Sequence, residues 1–449
     1  MQGIVRPAQN SLILYLPDEL TYDIFLTCHD DDRRSFPWIA STVCSQWRCI
    51  ALSTPVLWSE INFDRSLHNQ QVARNIETQL KRAQMAPLDI HIFQSALHET
   101  ETESMLQIAE LISPSAQRWR SLVIEETVQS QTLQILFDRL TTASVPQLEN
   151  LVIPRGSGST SVPGWEFRAF SNGAPRLQFL HLSKCRVDWN SDIFSNLVEL
   201  EVHDASFLSM DRDPLFTLAW SLLVRSPRLR SLTLADSAGA ERHLRNTRTR
   251  SPPSPPLETF IHSAIECLVI DVEWGEVTDA LLHSVKMPGL QQVSPNRFGA
   301  FYYTHPFSFP TLAHFNPLPN LRVIRILGYR HGFVPTPEEN AALPLALQVM
   351  RNLGVLEFQS LDLTRSDSWL PNLLVWLPRL TYLEFSYCRG LRDSAIREMV
   401  QCGSNSKRLT LALSGRAGEF FGQPPDRLNE SKEEFKAFLV PLLGELSAW

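Results

Sequence analysis

A small helical unit followed by a long array of strand-plus-helix repeats, α/β in class, is the fold that three observations predict. First, 43% of the 449 residues are hydrophobic and 20% are charged, the proportions of an ordinary globular protein. Second, short amphipathic segments follow one another between residues 12 and 63. Third, beyond residue 86 one short pattern, P-x-L-x-x-L-x-L, returns at steps of about 20–32 residues, the period of stacked supersecondary units.

The first element starts at Pro17, whose ring suits a first helical turn. Asp18 and Glu19 stand where the helix dipole favours anions, and Leu20, Ile24 and Phe25 form an apolar stripe. The acidic turn His29 to Arg34 ends it. A second segment carries Phe36, Ile39, Ala40 and Val43 and continues through Trp47 and Ile50 into Ala51, until Ser53-Thr54-Pro55 breaks it. A last turn places Val56, Leu57 and Trp58 against the other two. About 50 residues build too small a core to hide all these groups, so another surface must cover some of them.

In order and spacing, Leu16-Pro17-x-Glu19-Leu20, Ile24-Phe25, Ile39-Ala40-x-x-Val43-Cys44-x-x-Trp47-Arg48 and Leu57-Trp58 resemble the F-box over residues 12–63. The resemblance departs from the family pattern in the polar stretch Thr27 to Ser35 and at Pro37. It implies docking on a Skp-type linker subunit and, through it, a cullin, by Leu16, Pro17, Leu20, Ile24, Phe25, Ile39, Val43, Cys44, Trp47, Leu57 and Trp58. The alternative is that the three helices only cap the array, with Trp47 and Trp58 as core.

Residues 64–85 read as a connecting helix, Ser66 to Gln84, with Val72, Ile76, Leu80 and Ala83 on one side. From 86 to 449 the repeat takes over. Its copies begin at 88, 120, 146, 175, 196, 227, 265, 319, 351, 378 and 407. In Pro227-Arg228-Leu229-Arg230-Ser231-Leu232-Thr233-Leu234-Ala235 the alternation sends Leu232 and Leu234 inward and Ser231, Thr233 and Ala235 outward. Helical patterns lie between copies: Leu133, Leu136, Phe137 and Leu140; Leu215, Leu218, Leu222 and Leu223; Leu370, Leu373, Leu374 and Leu377. Each strand returning through a helix predicts parallel pairing.

The array resembles irregular leucine-rich repeats. Arg379-Leu380-x-x-Leu383-x-Phe385-x-x-Cys388, followed by Gly390 to Gly403, is similar to the cysteine-containing repeats often joined to an F-box. The resemblance implies a solenoid with parallel strands inside and helices outside. Two insertions interrupt it, 238–256 with four arginines and four prolines, and 291–317 with seven aromatic residues that include Phe301, Tyr302 and Tyr303. A helix bearing Leu428, Phe435, Phe438, Leu439, Leu442 and Leu443 is expected to cap the last repeat.

The exclusions are as informative. No run of about 18 apolar residues occurs, and Arg6, Pro7, Gln9 and Asn10 interrupt the start, so neither a membrane span nor a signal peptide is expected. Seven cysteines without a CxxC pair read as reduced thiols in a cytoplasmic or nuclear protein. A net charge of −7 gives no global field for nucleic acid. Phosphate-loop, metalloprotease and nucleophile-elbow motifs are absent, and Gly156 to Thr160 reads as a loop. No catalysis, cofactor or metal is expected.

What the residues and both resemblances imply is a substrate-recognition adaptor of an SCF-type ubiquitin ligase: the F-box holds the linker and the repeats hold an unnamed target protein. The alternative is a scaffold outside ubiquitination. Outward strand positions Glu199, Glu201, Asp271, Glu357 and Glu384, with the aromatic insertion, are the expected target-binding residues.

Overall fold

The computed structural model describes residues 16–31, 35–63, 70–93, 101–124, 130–153, 165–167, 170, 173–183, 185–189, 191–203, 212–235, 260–271, 281, 284–294, 320–327, 343–345, 347–359, 363, 366–386, 388, 390–403, 409–414 and 445–447. The chain forms two compact units, one of residues 1–160 and 165–181 and one of 161–164 and 182–449. The first unit holds the helical region together with the strands up to residue 181.

In the first unit α1 spans Asp18–Asp31, α2 Phe36–Val43 and α3 Ser45–Ser53, and Pro55–Trp58 form a 3-10 turn. The continuous second segment expected from 36 to 51 is therefore two helices. Cys44 breaks it by adopting extended backbone, φ −153° and ψ 174°. Pro37 sits in the first turn of α2, where a missing N–H costs nothing.

The connecting helix is α4, Gln70–Arg82. It stops before Gln84, whose φ of 44° is the left-handed conformation that ends helices. The strands are β1 Glu60–Phe63, β2 Leu88–Ile92, β3 Trp119–Ile124, β4 Asn150–Val152 and β5 Phe179–Ser183. They lie parallel in sequence order, Ile61 beside Ile90 beside Leu122 beside Leu151 beside Leu180. Helices α5 (Glu101–Ile112) and α6 (Ser130–Leu140) return the chain between strands. Between β2 and β3 the register shifts after Leu88, and the extra residue, Arg120, clamps Asp89 with two guanidinium hydrogen bonds. The Asp89 carboxylate raises the Arg120 pKa.

Strand β1 was not foreseen, since it lies inside the predicted helical domain. It pairs with β2 on one side only. Ser59 and Phe63 give their carbonyls to β2, so the alternate carbonyl of Glu60 faces the open edge, where Gln79 Nε2 of α4 donates to it at 2.5 Å.

In the second unit β6 (Glu199–His203), β7 (Ser231–Ala235), β8 (Cys267–Asp271), β9 (Gln292–Ser294), β10 (Val323–Leu327), β11 (Val355–Gln359), β12 (Tyr382–Ser386), β13 (Thr410–Ser414) and β14 (Glu445–Ser447) are again parallel and in sequence order. Helices α7 (Arg212–Arg225) and α8 (Asp393–Cys402) lie between strands. The long parallel ladder and its intervening helices are the mixed α/β repeat array that the sequence predicts.

Three corrections follow. Strand β9 occupies 292–294, so the insertion expected from 291 cannot begin before 295. A strand, β14, follows the expected capping helix, which like insertion 238–256 lies outside the described residues. Thr233 and Ala235, expected to face outward, are buried, Thr233 in register between the longer Glu201 and Val269 and Ala235 between His203 and Asp271.

One turn recurs ahead of the strands. The N–H of the first repeat leucine bonds the carbonyl three residues back, as at Leu148, Leu177, Leu229, Leu290, Leu353 and Leu380. At Ile265 the acceptor is instead the imidazole Nδ1 of His262, at 3.2 Å, while Nε2 lies 3.1 Å from the Ser226 carbonyl. Those partners assign the proton to Nε2. Gly289 is required in its copy of the turn, because a Cβ there would lie 2.8 Å from the Ser263 carbonyl. No helix among the described residues is long and apolar enough to cross a membrane.

Candidate protein-docking surfaces

Aromatic contacts hold the helical unit together. Phe25 of α1 meets Phe36 and Trp47 edge-on at 5.4 and 5.0 Å, and Trp38 meets Trp58 at 5.0 Å. The Trp58 indole donates to the Ala51 carbonyl at 2.8 Å. Arg82, at the end of α4, lays its guanidinium 4.4 Å from the Trp58 ring and 5.1 Å from Trp38, and burial lowers its pKa. The connector is thereby pinned to the helices.

The partition of side chains on α1 and α2 is inverted. Thr21, Phe25 and His29, four apart on α1, face inward, as do Pro37, Ala40 and Ser41 on α2. Leu20 is 51% exposed and Ile24 39%, while Ile39 and Val43 are 55% and 54% exposed. Each helix thus shows water a pair of aliphatic residues one turn apart and buries hydroxyls behind them. Hiding Thr and Ser while exposing Leu and Ile is unfavourable for a surface that stays in water.

The remaining residues expected at the linker-binding face divide. Pro17 is exposed, and Leu16, Cys44 and Trp47 are half-buried. Cys44 caps α3, its Sγ accepting the Trp47 N–H at 3.4 Å, and the Trp47 indole nitrogen is buried without an acceptor. Phe25, Leu57 and Trp58 are fully buried and form the core under the face, Phe25 and Trp58 through their ring contacts and Leu57 as part of the 3-10 turn that packs on the helices and α4.

The second surface is the outward side of the second unit's ladder. Arg325, Glu357, Glu384 and Ala412 stand side by side at the third position of β10 to β13. Arg325 Nε lies 2.6 Å from Glu357 Oε2. Among the described residues Glu384 meets no cation; Tyr382 Oη donates to its Oε2 at 2.8 Å, and the Ser386 hydroxyl donates to Oε1. Burial, then the Glu384 hydrogen bond and the charges of Glu384 and Glu357, push the Tyr382 phenol up to about 12. On β6, Glu201 lies 2.5 Å from His203 and Glu199 is half-buried.

The ladder brings Glu357 and Glu384 together and leaves Glu199 and Glu201 on a distant strand of the same unit. Asp271 ends β8, its side chain outside the described residues, as are Phe301, Tyr302 and Tyr303. The sequence reading missed Arg325, Tyr382 and Ser386. The signal was present: Arg325 holds the same strand position in its copy as Glu357 does, and Tyr382 and Ser386 flank Glu384 two residues away on the same face.

No family model matches the chain, and no curated protein does. Among solved structures it is similar to a chain of the crystal structure of the Rad7 and Elc1 complex in yeast, with 17% identity, 88% of this chain and 92% of that chain covered and a TM-score of 0.42. It is also similar to a chain of the TLR13–ssRNA13 complex, with 13% identity, 80% of this chain and 52% of that one covered and a TM-score of 0.35.

Proposed function

We propose that the protein is a non-catalytic substrate-recognition adaptor of an SCF-type ubiquitin ligase, docking a Skp-type linker through α1 and α2 and receiving a target protein on the repeat array. The observation that carries this reading is the inverted partition: Leu20, Ile24, Ile39 and Val43 face outward on helices that bury Thr21 and Ser41. The F-box resemblance of residues 12–63 supplies the identity of the occupant. The cullin is reached through the linker, and the outward row Arg325–Glu357–Glu384 is the target-facing side.

The test is a binding measurement between the full chain and a purified Skp-type linker. Leu20→Glu with Ile39→Glu is expected to weaken the complex more than tenfold with an almost unchanged melting temperature, since exposed substitutions move stability by about 0.5 kcal/mol or less. Leu57→Ala, in the core, is expected to lower the melting temperature instead. Unchanged affinity in the double variant would remove the docking assignment. Co-purification of a cullin separates the ligase adaptor from a scaffold that holds the linker alone.

A further inference from the structure

We propose that the heads of the strands in the second unit form a binding rim for an acidic peptide segment, centred on Arg322, Arg351 and Arg379. The inference deepens the reading of the array as the target-receiving part by naming the chemistry of the target, and it does not require linker docking.

The three arginines come from adjacent copies of the repeat. Arg322 follows Leu321 at the head of β10, Arg351 stands two residues before Leu353 at the head of β11, and Arg379 one residue before Leu380 at the head of β12. The backbone ladder sets Gly354 and Thr381 beside Arg322, Gly354 N–H to Arg322 O and Thr381 N–H to Gly354 O, both at 2.8 Å, and Arg351 and Arg379 stand three and two residues ahead of that register, in the turns that lead into β11 and β12. Parallel strands lie about 4.8 Å apart, so the three arginines belong to neighbouring turns along one edge, staggered in the chain direction rather than in register.

All three side chains are exposed, and none has an ion-pair partner among the described residues, whereas Arg230, Arg325 and Arg392 each meet a carboxylate. The segments 320–322, 351–354 and 378–381 contain these three arginines and no acidic residue. Farther along the same edge, Arg228 repeats the arrangement one residue before Leu229. Like charges on neighbouring turns repel within about a Debye length, and an anion laid across them relieves the repulsion.

Guanidinium groups present paired donors that fit carboxylate or phosphoryl oxygens. An extended peptide repeats same-side residues about every 6.8 Å, which lets successive oxyanions reach neighbouring strand heads. A nucleic acid fits less well. Glu357 lies three residues beyond Gly354 on β11, Glu384 occupies the matching place on β12, and the whole chain carries −7, so a long uniform polyanion would run onto carboxylates that a short acidic segment avoids.

The experiment uses the full chain and three fluorescein-labelled probes: a twelve-residue peptide alternating glutamate and glycine, the same peptide with phosphoserine for glutamate, and a single-stranded oligonucleotide of equal charge. Fluorescence anisotropy is expected to show binding of at least one peptide, weakened at least tenfold by Arg322→Glu, Arg351→Glu and Arg379→Glu combined. The control with the same change of net charge, Arg74→Glu, Lys81→Glu and Arg139→Glu, is expected to lose less than threefold. Tighter binding of the phosphoserine peptide names phosphoryl groups as the oxyanion, and equal binding names carboxylates.

Equal losses in the two triple variants would reduce the effect to net charge and overturn the proposal, as would tighter binding of the oligonucleotide than of either peptide. If the triple variant melts early, the single Arg→Gln variants carry the test, with a loss of about threefold each expected and no loss in any of them refuting it. Peptide binding that survives in a Leu20→Glu, Ile39→Glu chain separates this rim from the fate of the linker assignment.

Discussion

Tyr382 shows how one outward residue depends on its neighbours across the sheet. Its hydroxyl donates to Glu384, and half-burial beside two carboxylates disfavours the phenolate, which raises the phenol from 10.0 to about 12. A group whose pKa rises on folding contributes stability that is complete below its unfolded pKa and fades as pH climbs through the folded one. The Tyr382 contact is therefore expected to be intact to about pH 10 and lost toward pH 12. Absorbance titration of phenolate should show one tyrosine ionising late, and Glu384→Gln should bring that tyrosine down. A late tyrosine that persists in the variant would place the cause elsewhere. Glu357→Lys, harmless on a plain exposed strand, is expected to be costly here, because it would set a lysine beside Arg325 in place of their ion pair.

At the scale of elements, the break between α2 and α3 rests on one side chain. Sulfur is a weak acceptor for the Trp47 N–H, and Cys ranks outside the usual caps. Cys44→Ser is expected to raise stability by about 0.5–1 kcal/mol and Cys44→Ala to lower it or leave it unchanged, as read by thermal melting. A serine variant less stable than the alanine one would show that the thiol's packing outweighs its capping. The same break was hidden in the sequence, where Phe36 to Ala51 keeps an apolar rhythm straight through Cys44. The strands were far more legible: each of the eleven recognised copies, from Leu88 to Ser414, became a strand of a parallel ladder, because the alternation of leucines identifies a pleated, buried face without help from distant residues. Strands β1 and β14 escaped for lack of the leading leucine motif. Strand β9 escaped although Pro288-Gly289-Leu290-Gln291-Gln292-Val293-Ser294-Pro295 is a worn copy of the motif, its second leucine replaced by Val293 and its last by Pro295. The face that each expected docking residue takes was not legible, since a helical stripe of Leu20, Ile24 and Phe25 does not reveal that only Phe25 turns inward.

At the scale of the whole molecule, charge is sorted rather than spread. A total of −7 conceals a row of outward carboxylates on the second unit's strands and unpaired arginines at the strand heads, so the average predicts neither surface. The opposite end of the chain raises a different matter, that of growth. A parallel ladder assembled from near-identical strands contains no inherent instruction to stop, since each outer strand offers the next one the same half-set of donors and acceptors it has just received. At β1 the instruction comes from Gln79, whose amide fills the vacant place at Glu60 that an incoming strand would take. Gln79→Val is therefore expected to alter the number of copies per particle more than the folding of each copy: light scattering over a concentration series should show heavier species than the unsubstituted chain under the same conditions. An unchanged particle mass would mean that α4 itself, lying across β1, is terminator enough. In that sense a single amide serves this protein as punctuation, closing a sentence that its repetitive grammar would otherwise let a second molecule continue.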